Sequence, residues 1–354
     1  MTTRQLPAVT EAANLTAALR KAGALDRGAV SEVTVLSARD TILSHIARLG
    51  VRYDGQSDGA PQSLILKIPH PAFAKTLPNA GRREVAFYTK LAPKMPAQLV
   101  PQCFGGDFDE ENLAWHLLLE DLTDSHEIAT AWPLPPSHGQ AMAIVTALAC
   151  MHAAWWDHAS FGETVGEWMS TEDSANLLET FAGHYGRFAD LLGDRLSEAQ
   201  RDLFRRFIKQ WARLFQRYHS RRHVTITHGD AHTWNFLLPR ASVTDTVRIF
   251  DFDQWRVNVP TSDLAYMMAL QWYPETRQVL ERPLLDRYYD TLVEHGVTGY
   301  SREALHRDYR LSVLWQTTAP IWQWNANIPP VIWWNNLQRV FLAVDDLGCE
   351  EFLA

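Results

Sequence analysis

Cysteine is scarce. Only Cys103, Cys150 and Cys349 occur in 354 residues, an odd number at wide spacings with no CxxC pair. That excludes a disulfide framework and a thiolate zinc site as organising features. Long apolar runs are also missing, and no stretch approaches the ~18–20 residues that a membrane span needs. The first 28 residues, MTTRQLPAVTEAANLTAALRKAGALDRG, are broken by charges and contain no apolar core of a secretory signal. The expected location is the reducing cytoplasm, with no membrane partner. Nor is there an excess of positive charge. Lysine and arginine number 33 against 41 aspartates and glutamates, a net charge of −8. This argues against nucleic acid as a partner, and it leaves open a nucleotide held in a local basic pocket.

What is present is the composition of an ordinary globular protein, with 46% apolar and 21% charged residues. The length suffices for two domains or two lobes, each with its own core. Residues 9–22 have helical spacing, with Thr10 as a candidate cap. Residues 29–38, 45–55 and 63–71 read as strands, the last apolar and ended by prolines. Residues 80–93 read as a helix and 112–122 as a buried strand. From about residue 137 long helices take over, at 138–156, 172–192 and 197–219. NFLLP and TVRIFDFDQW (246–255) then pair as a hairpin with RASVTD as the turn, and helices resume from Ser262. The order predicts an α+β chain with a small strand-rich N-terminal lobe, residues 1–122, and a large helical C-terminal lobe, residues 123–354.

The stretch ITHGDAHTWNFLL (226–238) concentrates polar chemistry. His228, Asp230 and His232 alternate, and all three residue types can ligate zinc. No other tight histidine or cysteine cluster lies nearby to complete such a site. A polar turn without chemistry is a second reading, with Gly229 making the turn and Asp230 and Asn235 bonding backbone groups. The hairpin supports a third. IFDFD returns Asp251 and Asp253 towards the loop and can place Asp251 beside Asn235. A carboxylate and an amide oxygen form a hard pair suited to Mg²⁺ on substrate phosphates. Asp230, on the turn, can accept a hydrogen bond from an attacking hydroxyl, as phosphoryl transfer requires.

HGDAHTWN followed by FDFD resembles the catalytic loop and metal-binding segment of the aminoglycoside phosphotransferase and choline kinase superfamily. The nearest branch is that of bacterial phosphotransferase-family and ecdysteroid-kinase-like proteins. The resemblance implies a protein-kinase-like bilobal fold. It implies Asp230 as catalytic base, His228 as a loop-ordering residue, and Asn235 and Asp251 as Mg²⁺ ligands. LILKIP resembles the strand whose lysine contacts the ATP α/β-phosphates, implying Lys67, and RREVAFYTKL the helix supplying its carboxylate partner, implying Glu84. LLLEDL resembles the inter-lobe hinge, where backbone groups of about 119–122, Glu120 and Leu122 among them, would hold the adenine. PTSDLAY resembles the segment in which Asp263 accepts hydrogen bonds from the catalytic loop. Each residue also has a plainer reading. Lys67 could be an edge-strand lysine, Glu84 a solvated partner of Arg82 or Lys90, and Asp263 a helix cap. Asp253 could be a further metal ligand or a hairpin-end polar residue.

The chain departs from the resemblance in one segment. VLSARDTILSHIARL (35–49), where a phosphate-covering loop belongs, contains no glycine. Hydroxyls of Ser37, Thr41 or Ser44, or the charge of Arg39, could substitute for glycine-loop amides. Trp315, Trp322, Trp324, Trp333 and Trp334 crowd the region expected to wall the acceptor pocket. Their faces suit a partly apolar or aromatic-stacking hydroxylated acceptor, although core packing is the alternative for any one ring. Asp345, Asp346, Glu350 and Glu351 are the acidic candidates that a polycationic acceptor would need. The expected activity is transfer of the ATP γ-phosphate, with Mg²⁺, to a hydroxyl of a small molecule. A nucleotide-binding regulatory protein of the same fold and a zinc hydrolase built on His228, Asp230 and His232 are the alternatives.

Overall fold

Strand-forming segments of the N-terminal third leave one face apolar, and five of them pair. The computed structural model describes residues 6–41, 44–70, 78–241 and 243–354. Helix α1 (Ala12–Lys21) precedes β1 (Ala29–Asp40), β2 (Ser44–Asp54) and β3 (Ser63–Pro69). Helix α2 (Pro78–Ala86) follows and runs on as a π turn over Phe87–Leu91, before β4 (Cys103–Phe108) and β5 (Trp115–Glu120). The sheet order is β1-β2-β3-β5-β4, antiparallel throughout. Leu15 and Leu19 of α1 pack with Leu49, Leu64, Leu66 and Leu118 of the sheet in one buried core. Each such side chain contributes about 1.5–3 kcal/mol by leaving water.

The chain divides into two compact units, residues 1–127 with 237–255, and residues 128–236 with 256–354. The first unit therefore takes in a segment that the order of elements alone assigns to the helical lobe. Local pairing explains this. Strand Phe236–Pro239 lies between β6 (His126–Ile128) and Arg248–Ile249. The Ile249 N–H donates to Leu99 O at 2.9 Å, and the Phe252 ring stacks on Phe87 with centroids 3.6 Å apart.

The second unit is mostly helical. Helices α3 (His138–Ala154), α4 (Thr171–Leu192) and α5 (Glu198–His219) each begin with a reciprocal capping box, at Ser137, Ser170 and Ser197. A two-stranded sheet pairs Thr225–Thr227 with Arg256–Asn258. Helices α6 (Thr261–Ala265), α7 (Pro274–Glu294), α8 (Arg302–Gln316), α9 (Ala319–Asn325) and α10 (Pro330–Asp346) complete it. Leu203, Phe204, Phe207, Trp211, Leu214 and Phe215 form the buried stripe of α5 at helical spacing. Among the described residues no helix is long and apolar enough to cross a membrane.

Several local expectations are corrected. Thr10 does not cap α1; its hydroxyl donates to Pro7 O at 2.9 Å, and Glu11 holds the cap position without a side-chain bond. Strand β4 escaped the sequence reading because its CFGGDF core has low strand propensity. The hairpin's second strand shortens to Arg248–Ile249. Asp251 has φ +69°, a left-handed conformation that ends extended pairing. Most of residues 35–49 lies in the β1–β2 ladder, with Ala38 opposite Ala47. Ile42 and Leu43 of that segment, Pro71 at the end of the third expected strand and Ser242 in the expected turn lie outside the described residues.

Candidate functional site

Within the first unit, Lys67 stands on β3 between Ile46 of β2 and Leu117 of β5, in the sheet's interior. The edge-strand reading therefore fails. Its ammonium donates to Glu84 Oε1 at 2.7 Å and to Asp251 Oδ1 at 2.5 Å. Lys67 and Glu84 are buried, whereas the Asp251 side chain is 38% exposed. The solvated reading of Glu84 fails as well, since Arg82 pairs with Glu110 instead. Burial works against the Lys67 charge, but Asp251 and Glu84 outweigh it and hold the amine protonated beyond the ordinary lysine value. Burial pushes Glu84 up to about 7, with Lys67 opposing. Asp253 is near enough to add to the field on Lys67.

Asp251 owes its position to its neighbours. Its left-handed backbone costs of order 1–3 kcal/mol for a non-glycine residue, and the Phe252–Phe87 stack offsets that strain from one side. Trp255 donates its indole N–H to Arg83 O at 2.8 Å, tying the end of this segment to α2.

The other nucleotide-site expectations map onto hydrogen-bonded backbone. The Glu120 N–H donates to Gln102 O, and the Leu122 carbonyl accepts from Ser125 and His126. Asp121 between them binds Arg48 Nε at 2.5 Å. Ser37 is exposed on β1. Thr41 closes the β1–β2 turn, its hydroxyl donating to Ser44 O and accepting from Ser44 N, both at 3.0 Å.

Within the second unit, Thr225–Thr227 delivers the chain into the His228–Asn235 loop. Gly229 adopts φ +83°, a conformation open to glycine without strain. Asp263 is buried and accepts from His228 N at 2.6 Å and Gly229 N at 2.9 Å. It occupies the third position of α6 and caps the loop rather than its own helix. Burial raises the Asp263 carboxyl, but His152 and the loop amides outweigh this and hold it below the usual value. His228 is fully buried, and its Nδ1 accepts from Asp230 N at 3.2 Å. The Asn235 amide donates to Asp230 O at 2.9 Å. Its other short approach is to Asp230 Oδ2 at 3.4 Å, the same distance at which His232 Nε2 meets that oxygen. The loop thus orients a part-exposed carboxylate with its own side chains.

Sequence reasoning missed His152 and Tyr288. His152, on α3, contacts Asp263 Oδ2 at 3.2 Å and Tyr288 Oη of α7 at 2.6 Å. Its carbonyl accepts from Thr225 Oγ1 at 2.8 Å. The only sequence signal was a lone histidine in the apolar helix ALACMHAAWW.

The tryptophans divide. Trp315 packs against Phe207, Trp211 and Phe215 of α5, while Trp322 meets Phe181 and His184. Trp324 and Trp333 flank Phe188, and Trp334 meets Trp333. Three of the four acidic candidates are neutralised, Asp346 by Arg277, Glu350 by Arg206 and Glu351 by Arg310. Among the described residues no group of three histidine, cysteine or acidic side chains is arranged to hold a metal ion.

The fold is similar to known kinases of small molecules. A candidate aminoglycoside phosphotransferase from Ralstonia eutropha JMP134 superposes with a TM-score of 0.55 at 13% identity, covering 96% of this chain and 97% of that one. The F108L mutant of aminoglycoside 2′-phosphotransferase IIIa, in its GDP complex, superposes with a TM-score of 0.51 at 13% identity, covering 91% and 93%. At such identities the likeness establishes the protein-kinase-like α+β fold and no more. No curated protein matches by sequence. The ecdysteroid kinase-like family matches residues 38–297, a range that holds Lys67, Glu84, Asp230, Asn235, Asp251 and Asp263. The chain belongs to the ecdysteroid kinase-like family, within the superfamily of small-molecule kinases that its catalytic-loop sequence resembles.

Proposed function

We propose that the protein transfers the γ-phosphate of ATP to a hydroxyl of a small, partly apolar molecule. The observation that carries this reading is the buried Lys67 ammonium held between Glu84 and Asp251. A cation so fixed in a sheet interior is suited to steady nucleotide phosphates. We assign the nucleotide to residues 1–122, with Glu120, Leu122, Ser37 and Thr41 as further contacts, and the acceptor to residues 123–354.

Mg²⁺ would be held by Asn235 and Asp251. Both offer hard oxygens, and the part-exposed Asp251 carboxylate fits that role. When bound, the metal neutralises charge on the phosphates. Asp230 accepts the proton of the attacking hydroxyl at its carboxylate, and His228 and Asp263 order the loop that carries it. Positioning and charge stabilisation then supply most of the rate. Of the four C-terminal acidic candidates, Asp346, Glu350 and Glu351 are each paired with an arginine, which favours an apolar acceptor over an aminoglycoside.

The test is ADP release with ATP and Mg²⁺ against a panel of alcohols, amino alcohols, steroids and aminoglycosides. Asp230→Ala is expected to lower turnover about 10²–10⁴-fold, the usual worth of a general base, with ATP affinity unchanged. Full turnover in that variant would refute the assignment. ATP binding with no transfer to any acceptor would favour a regulatory nucleotide-binding protein instead, a reading motivated by the glycine-free β1–β2 segment.

A further inference from the structure

We infer that a cavity at the tip of the α4–α5 hairpin is a second small-molecule site, for a flat apolar body carrying an acidic group. The cavity measures about 440 Å³ and is lined by Leu191 and Leu192 at the end of α4, Arg195, Trp324 of α9, Ile328 and Trp333 of α10. The depression is open to solvent on one side, so a ligand there would lie against its wall and remain partly exposed.

Aromatic packing holds two of its lining side chains. Trp324 and Trp333 each pack against Phe188, with centroids 5.5 Å apart in both cases. Leu191 is 55% exposed, so a ligand covering it would remove apolar surface from water. Arg195 supplies the charged element, with Asn327 the other polar side chain on the lining. Its side chain is exposed, and among the described residues no carboxylate pairs with it. By contrast, Arg206, Arg277 and Arg310 of the same unit all have acidic partners. Two indoles beside an unpaired guanidinium complement an aromatic acid better than a neutral or cationic ligand.

A solvent-filled dent between helix ends is the plainer alternative, and it predicts no preference for charge. Along the chain the cavity residues Leu191, Leu192 and Arg195 and the Asp230 loop lie at opposite ends of α5. Arg195 precedes α5, and the chain travels its 22 residues, about 33 Å at 1.5 Å per residue, before entering Thr225–Thr227. The inference therefore does not depend on phosphotransfer.

The experiment uses two naphthalene probes and the full chain without nucleotide. 1-Anilinonaphthalene-8-sulfonate is anionic, and N-phenyl-1-naphthylamine has the same rings without the sulfonate. Titrations follow probe emission excited through tryptophan. One anionic probe is expected per chain, bound more tightly than the neutral one. Arg195→Ala is expected to weaken the anionic probe about fivefold, the upper end for an exposed ion pair, and to leave the neutral probe unchanged. Trp324→Ala should weaken both. Because that change also disturbs Phe188, the exposed Arg195 decides the outcome. Equal affinity for the two probes, or an Arg195→Ala chain that binds the sulfonate as well as the unaltered one, overturns the proposal. Failure to find a phosphate acceptor leaves this measurement untouched.

Discussion

Replacing Lys67 with methionine tests the arrangement at the centre of the first unit. The change keeps the aliphatic stem and removes the ammonium, leaving Glu84, 2% exposed, without its partner. Breaking one side of a buried pair costs about 3–5 kcal/mol. The Asp251 half of the interaction adds little, because that side chain is 38% exposed and screened by solvent. Burial already raises Glu84 from 4.5 to about 7, a displacement equivalent to about 3 kcal/mol between its ionised and neutral forms. The folded chain thus binds this proton more tightly than the unfolded chain. Glu84's contribution to stability is full below about pH 4.5 and is lost as pH rises through about 7. Without Lys67 the proton is held still more tightly. The Lys67→Met deficit is expected to be about 2 kcal/mol at pH 8 and about 1 kcal/mol or less at pH 5, where Glu84 is neutral in both chains, because keeping the Glu84 proton from its value of about 7 up to pH 8 costs about 1.4 kcal/mol. Adding Glu84→Gln should restore most of the loss at pH 8 and flatten the dependence between pH 4.5 and 7. Urea denaturation followed by tryptophan fluorescence at both pH values measures this. An equal deficit at pH 5 and pH 8, or a double variant no more stable than the single, would show that Glu84 is not governed by Lys67.

Two further outcomes follow from the loop supports. Asp263 is held below its ordinary value of 3.8, so the stability it contributes is present above about pH 4 and is lost as pH falls through the depressed value. Asp263→Asn should therefore flatten the acid limb of the melting-temperature curve below pH 4, and an unchanged limb would rule out this source. Tyr288→Phe removes the hydroxyl 2.6 Å from His152 Nδ1 and leaves a buried ring nitrogen unpaired, at a cost of about 1–3 kcal/mol. Hydrogen exchange at the His228 and Gly229 amides should quicken in that variant, and unaltered exchange would disconnect Tyr288 from the loop.

The strongest sequence signals were local. Alternating and helical apolar periods located most elements because each must bury one face. HGDAHTWN and FDFD kept their chemistry legible because a loop that orients its own residues does so over a few positions. His228 and Asn235 each bond Asp230 within a stretch of eight residues, so chain proximity alone brings them together.

Other features depended on packing between distant segments. Lys67 meets Asp251 across 184 positions, and only sheet order could show that β3 is interior and that its lysine is therefore paired. His152, Tyr288 and Asp263 lie on three helices and meet because those helices pack. A lone histidine carries no sequence record of its partners. The left-handed turn at Asp251, held beside the Phe87–Phe252 stack, cut short a strand that propensity extended. The C-terminal acids read as a possible cation pocket until arginines from α5, α7 and α8 proved to neutralise three of them. Composition and periodicity determine which faces are buried. Which charges end up opposed is decided by the tertiary structure, because electrostatic pairing follows distance in space and not separation along the chain.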